Sequence, residues 1–259
     1  MVEATLVMNA ATDIASLRLP TAVAVLLSLL AWELAQPFFR QFTQGPGALR
    51  RRGLNAFVNL GLGAVNALII SGLFVTFWAA TMSWAESHAF GLLRWLPVAG
   101  TWRWLLAILL LDAWTYAWHR LNHVLPVLWQ FHRLHHSDRE MNVTTANRFH
   151  TAEIVLSSIL RLPLLALFGV RLEELALYDT LLFAVVQFQH ANIGLPERLY
   201  RWLRCLIVTP HLHKVHHSVV RAETDSNYSS LFSWWDRLFR TFRISREPRN
   251  IVFGVDDRR

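Results

Sequence analysis

Eight histidines in this chain fall into three short groups whose spacing suits metal coordination. His119 and His123 stand four residues apart; His132, His135 and His136 form an HxxHH group; His213, His216 and His217 repeat it further along. Residues four apart on a helix share a face, so two imidazoles can approach one ion. His132 and His135 lie about one turn apart, and the adjacent His136 points roughly 100° away, toward a second ion or the other side of a cluster. An isolated HxxxH pair carries little, because such pairs are commonly surface or packing residues. The full set resists that explanation. Eight clustered imidazoles would be largely desolvated, and their donors and acceptors would lack partners unless a metal supplied them.

Ligand type narrows the metal. Cys205 is the only cysteine, which excludes an intrachain disulfide and any CxxC site. The ligands are therefore imidazole or carboxylate. A structural zinc needs four ligands, commonly thiolates, whereas eight neutral imidazoles suit two iron ions, with zinc, manganese or copper as other occupants. Two neighbouring redox-active ions can share the electrons needed to cleave O2. No haem-binding or flavin-binding segment is visible, so a separate electron-transfer protein or reductant must act as external electron donor.

The elements that position these groups are apolar. The 259 residues are 54% hydrophobic, with twelve Trp and sixteen Phe, and the mean hydropathy is positive. That composition points to an all-α integral membrane protein. Apolar runs at 19–39, 54–82 and 102–118 read as spans, and 154–189, interrupted by Arg161, Pro163, Arg171, Glu173 and Glu174, reads as a shorter hairpin. About four transmembrane helices result, carrying a helical histidine-rich cap, with short helical pieces at 199–206 and 234–242 in the tail. Residues 1–259 read as one domain, in which 1–111 anchor and 112–243 carry the histidines. The first nineteen residues contain Glu3 and Asp13 and lack a basic start, so the first apolar stretch is expected to remain as an anchor.

Charge sets the orientation. The formal net charge is +7 and Lys214 is the only lysine. The arginines fall between apolar segments, not in one stripe, which favours anionic headgroups over nucleic acid. Under the positive-inside rule the basic loop 40–52 is cytoplasmic, and alternating spans then bring every histidine group to that same side. The arginine-rich usage points to a bacterial inner membrane.

At this point the motifs resemble a known family. The three boxes, with Asp112-Ala-Trp-Thr-Tyr-Ala-Trp-His119, Trp129-Gln-Phe-His132, Thr209-Pro210, Asp225-Ser-Asn227-Tyr228 and Trp235-Asp236-Arg237-Leu238-Phe239, are similar to the fatty acid hydroxylase and sterol desaturase superfamily. The last two motifs look most like the branch containing alkylglycerol monooxygenase and its bacterial relatives. The resemblance covers residues 112–242. It implies an O2-dependent di-iron oxygenase acting on a lipid substrate, with four-helix anchoring and a cytosolic cap. It also implies a further ligand between the second and third boxes, where His190 is the matching position.

His150 is open between ligation, support of the ligands and a headgroup contact. Asp112 is expected either to hold an imidazole N–H from two turns back or to be a hydrogen-bonded polar group inside a span; Asn227 and Asp236 are further supporting candidates. His88 and His211 are read as outside the site. Hydroxylation and desaturation need the same oxidant and are not separable at this level. A membrane metal transporter or sensor is the competing class, disfavoured because the histidines gather beyond the span ends.

Overall fold

The computed structural model describes the backbone of residues 2–256 and the side chains of residues 19–256, so the expectation about the first nineteen residues falls almost wholly outside the described side chains. The described residues are mainly helical. Among the described residues, pairing of extended backbone is limited to isolated bridges, such as Pro37 with Ile193.

Among the described residues twelve α-helices follow in order: α1 Val2–Ala35, α2 Ala48–Ile69, α3 Val75–Ser87, α4 Leu92–Trp95, α5 Gly100–Val124, α6 Pro126–His136, α7 Thr151–Phe168, α8 Leu172–His190, α9 Glu197–Leu203, α10 Pro210–His216, α11 Arg221–Thr224 and α12 Trp234–Leu238. A π-helical stretch, Ile70–Phe74, joins α2 to α3 without a break.

Two stretches, Ala48–Trp95 and Thr151–Phe168, are long and apolar enough to cross a membrane, and Leu19–Ala35 is a shorter apolar helix. Of the four expected spans, two meet that length and composition among the described residues. The other two long helices carry charges among their apolar residues: Arg103 and Asp112 in α5, Glu173, Glu174 and Asp179 in α8. Arg103, Asp112, Glu174 and Asp179 have partners inside the bundle. Arg103 pairs with Glu174 at 2.7 Å and also donates to the carbonyls of Leu93 and Gly169. Asp179 pairs with Arg161 of α7, whose guanidinium also lies over the Trp78 ring. The expected hairpin is present as α7 and α8, but Pro163 lies inside α7 and does not end it.

The second span is longer than its apolar run suggested. At about 1.5 Å per residue, α2, the π turn and α3 reach roughly twice the thickness of a hydrocarbon core. The reason lies in one face. Asn55, Asn59, Gly63 and Asn66 recur every three or four residues and meet the segment that follows α6: Asn59 donates to Asp138 and Thr144, and Asn66 donates to the Phe149 carbonyl. A β-carbon on Gly63 would lie 2.8 Å from Asn147 Cβ, so a small residue is needed there. The first half of the long helix therefore scaffolds the cap, and α3 packs in the bundle.

A core of Phe74, Trp78, Met82, Leu93, Ala107, Ile108, Leu111, Leu165, Val170, Leu175 and Tyr178 joins α3, α4, α5, α7 and α8. α5 and α8 both descend from the Arg103–Glu174 end and finish at the histidines. At the opposite end Gly91 packs directly on the α7 terminus: it has φ +112°, and a β-carbon would lie 2.4 Å from the Ala166 carbonyl oxygen. Backbone cannot yield there. Gly91→Ala is expected to destabilise the fold by about 2 kcal/mol or more, through overpacking and a disfavoured φ; a thermal melt of the detergent-solubilised protein that is unchanged from wild type would contradict this account.

Candidate metal centre

Each histidine box arrives on its own helix end. His119 and His123 occupy the last turns of α5, His132, His135 and His136 the end of α6, His190 the last residue of α8, and His213, His216 and His217 the end of α10. Pro126 and Pro210 each open a short helix at its first turn, where a missing N–H costs nothing.

The nine imidazoles form two sets. His119, His123, His132, His136 and His216 present ring nitrogens within 4.8 Å of one another, and His135, His190, His213 and His217 form a second set on the same criterion. All nine expected ligands are brought together, with a changed partition. His132 groups with His136, and His135 turns to the other set. The i, i+4 pair is offset by only about 40° around a helix against about 60° for i, i+3, so 132/136 and 213/217 pair as 119/123 do. The two sets share a wall, where the His136 and His217 rings stack with centroids 4.3 Å apart.

Hydrogen bonds fix the tautomers. His119 Nδ1 lies 2.8 Å from the Tyr228 carbonyl and His216 Nδ1 lies 2.7 Å from the Ser226 carbonyl, so each must carry its proton on Nδ1 and a lone pair on Nε2. Those two Nε2 atoms face each other at 3.0 Å. Burial pushes the His216 pKa down to about 3, so a proton does not hold the pair together near neutrality. Two facing lone pairs call for a shared cation. Nitrogens each about 2.1 Å from one ion and at right angles stand about 3.0 Å apart, which is the spacing observed.

The second set repeats the pattern. His190 Nδ1 is committed to the Val186 carbonyl at 2.7 Å, and its Nε2 lies 3.1 Å from His135 Nε2 and 3.0 Å from His213 Nε2. His213 and His217 meet at 3.1 Å. Burial, then neighbouring imidazoles, hold His135, His136, His213 and His217 well below the usual histidine range, so their nitrogens are unprotonated and available.

One supporting carboxylate was not anticipated. Glu153, buried in the first turn of α7, accepts from His132 Nδ1 at 2.9 Å and from Asn122 at 3.2 Å. A carboxylate behind a ligating imidazole fixes its tautomer and raises its basicity. In the sequence Glu153 reads as an ordinary acidic residue in a helix's first turn, and no local spacing marks it.

Of the expected supporting residues, Asp112 takes the second of its two readings, a hydrogen-bonded polar group within a helix. His150 is exposed and belongs to neither set; its Nδ1 accepts from the Ala152 N–H and caps α7. Asp112 touches no imidazole. It accepts from the backbone of Leu231 and Phe232 and from Trp235 Nε1, tying the C-terminal segment to α5. Asp236 accepts from the backbone of Tyr228 and Ser229, and Asn227, at φ +52°, bridges Leu212 and Arg243. Both serve the sharp turn whose carbonyls at Ser226 and Tyr228 orient His216 and His119. His88 stacks on Trp84 away from the site, and His211 is half-buried against Phe38 and Tyr200.

Aromatic rings close the surroundings. Phe149 stacks on His135 at 4.4 Å, and Trp129 and Tyr228 lie against His123. Lys214, fully buried inside the third box, donates to the Ala191 carbonyl at 2.8 Å, which ties α10 to the end of α8; burial lowers its pKa to about 7.

With this geometry in place, comparison with known proteins decides the family. The fatty acid hydroxylase model matches residues 104–241. The chain belongs to the fatty acid hydroxylase family. Human alkylglycerol monooxygenase is 32% identical over 165 residues, covering 62% of this chain and 34% of that protein. An ornithine lipid hydroxylase of Rhizobium tropici is 30% identical over 58% of the chain and 44% of its own length, and cholesterol 25-hydroxylase of Rattus norvegicus 25% identical over 59% and 50%. The matches thus span a third to a half of these relatives. No solved structure matches the chain.

Two outcomes follow from the geometry. Glu153→Ala is expected to weaken metal binding about 10- to 100-fold, while His150→Ala keeps it, as read by chelator competition and metal analysis. Metal-free protein should also lose stability as pH falls. Above about 6.5 these histidines are neutral in both folded and unfolded chains; below it the unfolded chain takes up protons that the buried rings refuse. Each such group then costs about 1.4 kcal/mol per pH unit until its folded pKa, about 3 for His216, is reached. Melting temperatures of the metal-free protein between pH 7 and 5 check this; a flat profile contradicts it.

Proposed function

We propose that this hydroxylase-family chain is a two-metal membrane oxygenase, normally di-iron, that uses O2 and external electrons to hydroxylate a C–H bond of a lipid. The observation that carries the reading is the facing of His119 and His216 lone pairs at 3.0 Å within a nine-imidazole double set. The two histidine sets would hold the ions; iron there would supply the two-electron activation of O2, and zinc would fit the same nitrogens without that chemistry.

The protein's own residues do the rest. The carbonyls of Tyr228, Ser226 and Val186 and the Glu153 carboxylate hold Nδ1 protons, so every Nε2 they control points inward. Phe149, Trp129 and Tyr228 keep bulk water from the rings, which confines a reactive oxidant to its substrate. A lipid chain lying between helices would be held at a fixed depth relative to the histidines, so proximity selects the attacked carbon.

Support for a lipid substrate comes from the relatives, named for an alkylglycerol, an ornithine lipid and cholesterol. The proposed topology is multi-pass, with residues 1–259 as one domain and 1–111 chiefly anchoring. The histidine end shares its side with the basic loop 40–52 and the arginine-rich tail, which makes it cytoplasmic, in a bacterial inner membrane. Electrons come from a separate donor on that side.

Lipid extracts of cells with and without the protein, grown under 18O2, provide the test by mass spectrometry. The expected product is a lipid gaining one labelled oxygen, absent when His135 or His216 is replaced by alanine. A product lacking two hydrogens and carrying no label would assign desaturation instead, and a protein that binds zinc reversibly without consuming O2 would remove the oxygenase reading.

A further inference from the structure

At the end of the bundle away from the histidines lies a cleft of about 330 Å³, lined by Glu86, Arg94, Arg103, Arg171 and the apolar turn 96–100. Its three arginines are not equivalent. Arg103 is saturated by Glu174 and by the carbonyls of Leu93 and Gly169. Arg171 is exposed at the start of α8. The Arg94 side chain is only 11% exposed, and its single ion pair is a long one, 3.5 Å from Nη1 to the largely solvated Glu86. Its Nε and Nη2 are shielded from solvent and meet no acceptor among the described residues.

A shielded guanidinium edge with two unmet N–H groups is costly to leave alone. The Nε and Nη2 edge is also the edge that grips a tetrahedral or planar oxyanion with two parallel bonds. Glu86 leaves that edge free, and Arg171 adds a second positive charge to the same cleft. Around it stand exposed indoles: Trp84, Trp95, whose Nε1 donates to the Ala89 carbonyl in the cleft wall, and Trp102. Clustered exposed tryptophans at the end of apolar helices mark the depth of lipid headgroups.

We infer that this cleft binds a phosphate group through Arg94 and Arg171, and that the phosphate belongs to an anionic phospholipid of the leaflet opposite the metal centre. The inference rests on the membrane-spanning part of the proposed function, not on its chemistry. Bound there, the lipid completes the hydrogen bonding of Arg94 and fastens the α4–α5 turn to the α7–α8 turn, the two connections from which α5 and α8 run down to His119 and His190.

The full chain in detergent micelles, titrated with phosphatidylglycerol and followed by native mass spectrometry, tests it. Wild type should retain one phosphatidylglycerol and not a diacylglycerol with the same chains. Arg94→Gln and Arg171→Gln should each weaken retention at least tenfold, and Glu86→Gln should strengthen it, since an acidic competitor is removed; a purely structural Arg94 would not respond to Glu86 in that direction. Inorganic phosphate that displaces the lipid at millimolar concentration would make the free anion a ligand of the same site, and failure to displace it makes the lipid the source. Equal retention of phosphatidylglycerol by wild type and both arginine variants, or equal retention of diacylglycerol, overturns the inference. Should Arg94→Gln fail to fold, as its melt would reveal, Arg171→Gln decides alone. Metal content of the same samples reports on the histidine centre separately, so a failed cleft and a failed metal centre give different results.

Discussion

The fold depends on keeping neutral, desolvated imidazoles in contact with their lone pairs turned toward one another. Without a cation this arrangement is repulsive and largely unpartnered, and burial removes the ordinary remedy of protonation. The structure accepts that cost and hardens everything behind it. Each of four rings has its outer nitrogen held by a specific acceptor, three of them main-chain carbonyls from Val186, Ser226 and Tyr228 and one the carboxylate of Glu153. Carbonyl acceptors cannot titrate or rotate away, so the direction of the lone pair is a property of the backbone.

That requirement explains the remaining polar groups. Asp112 does not serve a histidine directly; it anchors the segment at Leu231 and Phe232, which carries Asp236, which in turn holds the turn at Tyr228. Glu33 does similar work on the other side, accepting from the backbone of Val143 and Asn192 and pairing with Arg52. Asn192 then fastens Phe39 by paired bonds to its backbone. Buried networks of this kind are stable only when fully satisfied. They connect α1, α2, the segment after α6 and the end of α8 around His190, and the long helices act as rods that bring those ends to one level.

Much of the site was legible in the sequence because metal ligation by helices imposes spacing. HxxxH and HxxHH are local statements about which side chains share a helical face, and the family resemblance carried by the whole motif set pointed to His190. Glu153 was hidden for the converse reason: its partner His132 is on a different helix, and nothing in its immediate neighbours marks it. His150 stayed open because a histidine near the boxes looks chemical; its ring caps α7 and lies against Phe131 of α6. The long α2–α3 run was underestimated because hydropathy sees the apolar outer face and not the asparagine stripe that meets the cap.

By itself, the chain's sequence determined the helical apolar character, the eight boxed imidazoles and their gathering at one end of the bundle, since these follow from composition and short-range periodicity. Only the tertiary structure decided how nine histidines divide into two sets, which acceptor fixes each tautomer, and that Asp112, Asn227 and Asp236 act through the backbone. Those outcomes depend on contacts between residues up to about 120 positions apart, where helix packing chooses the partner and local spacing has nothing to say.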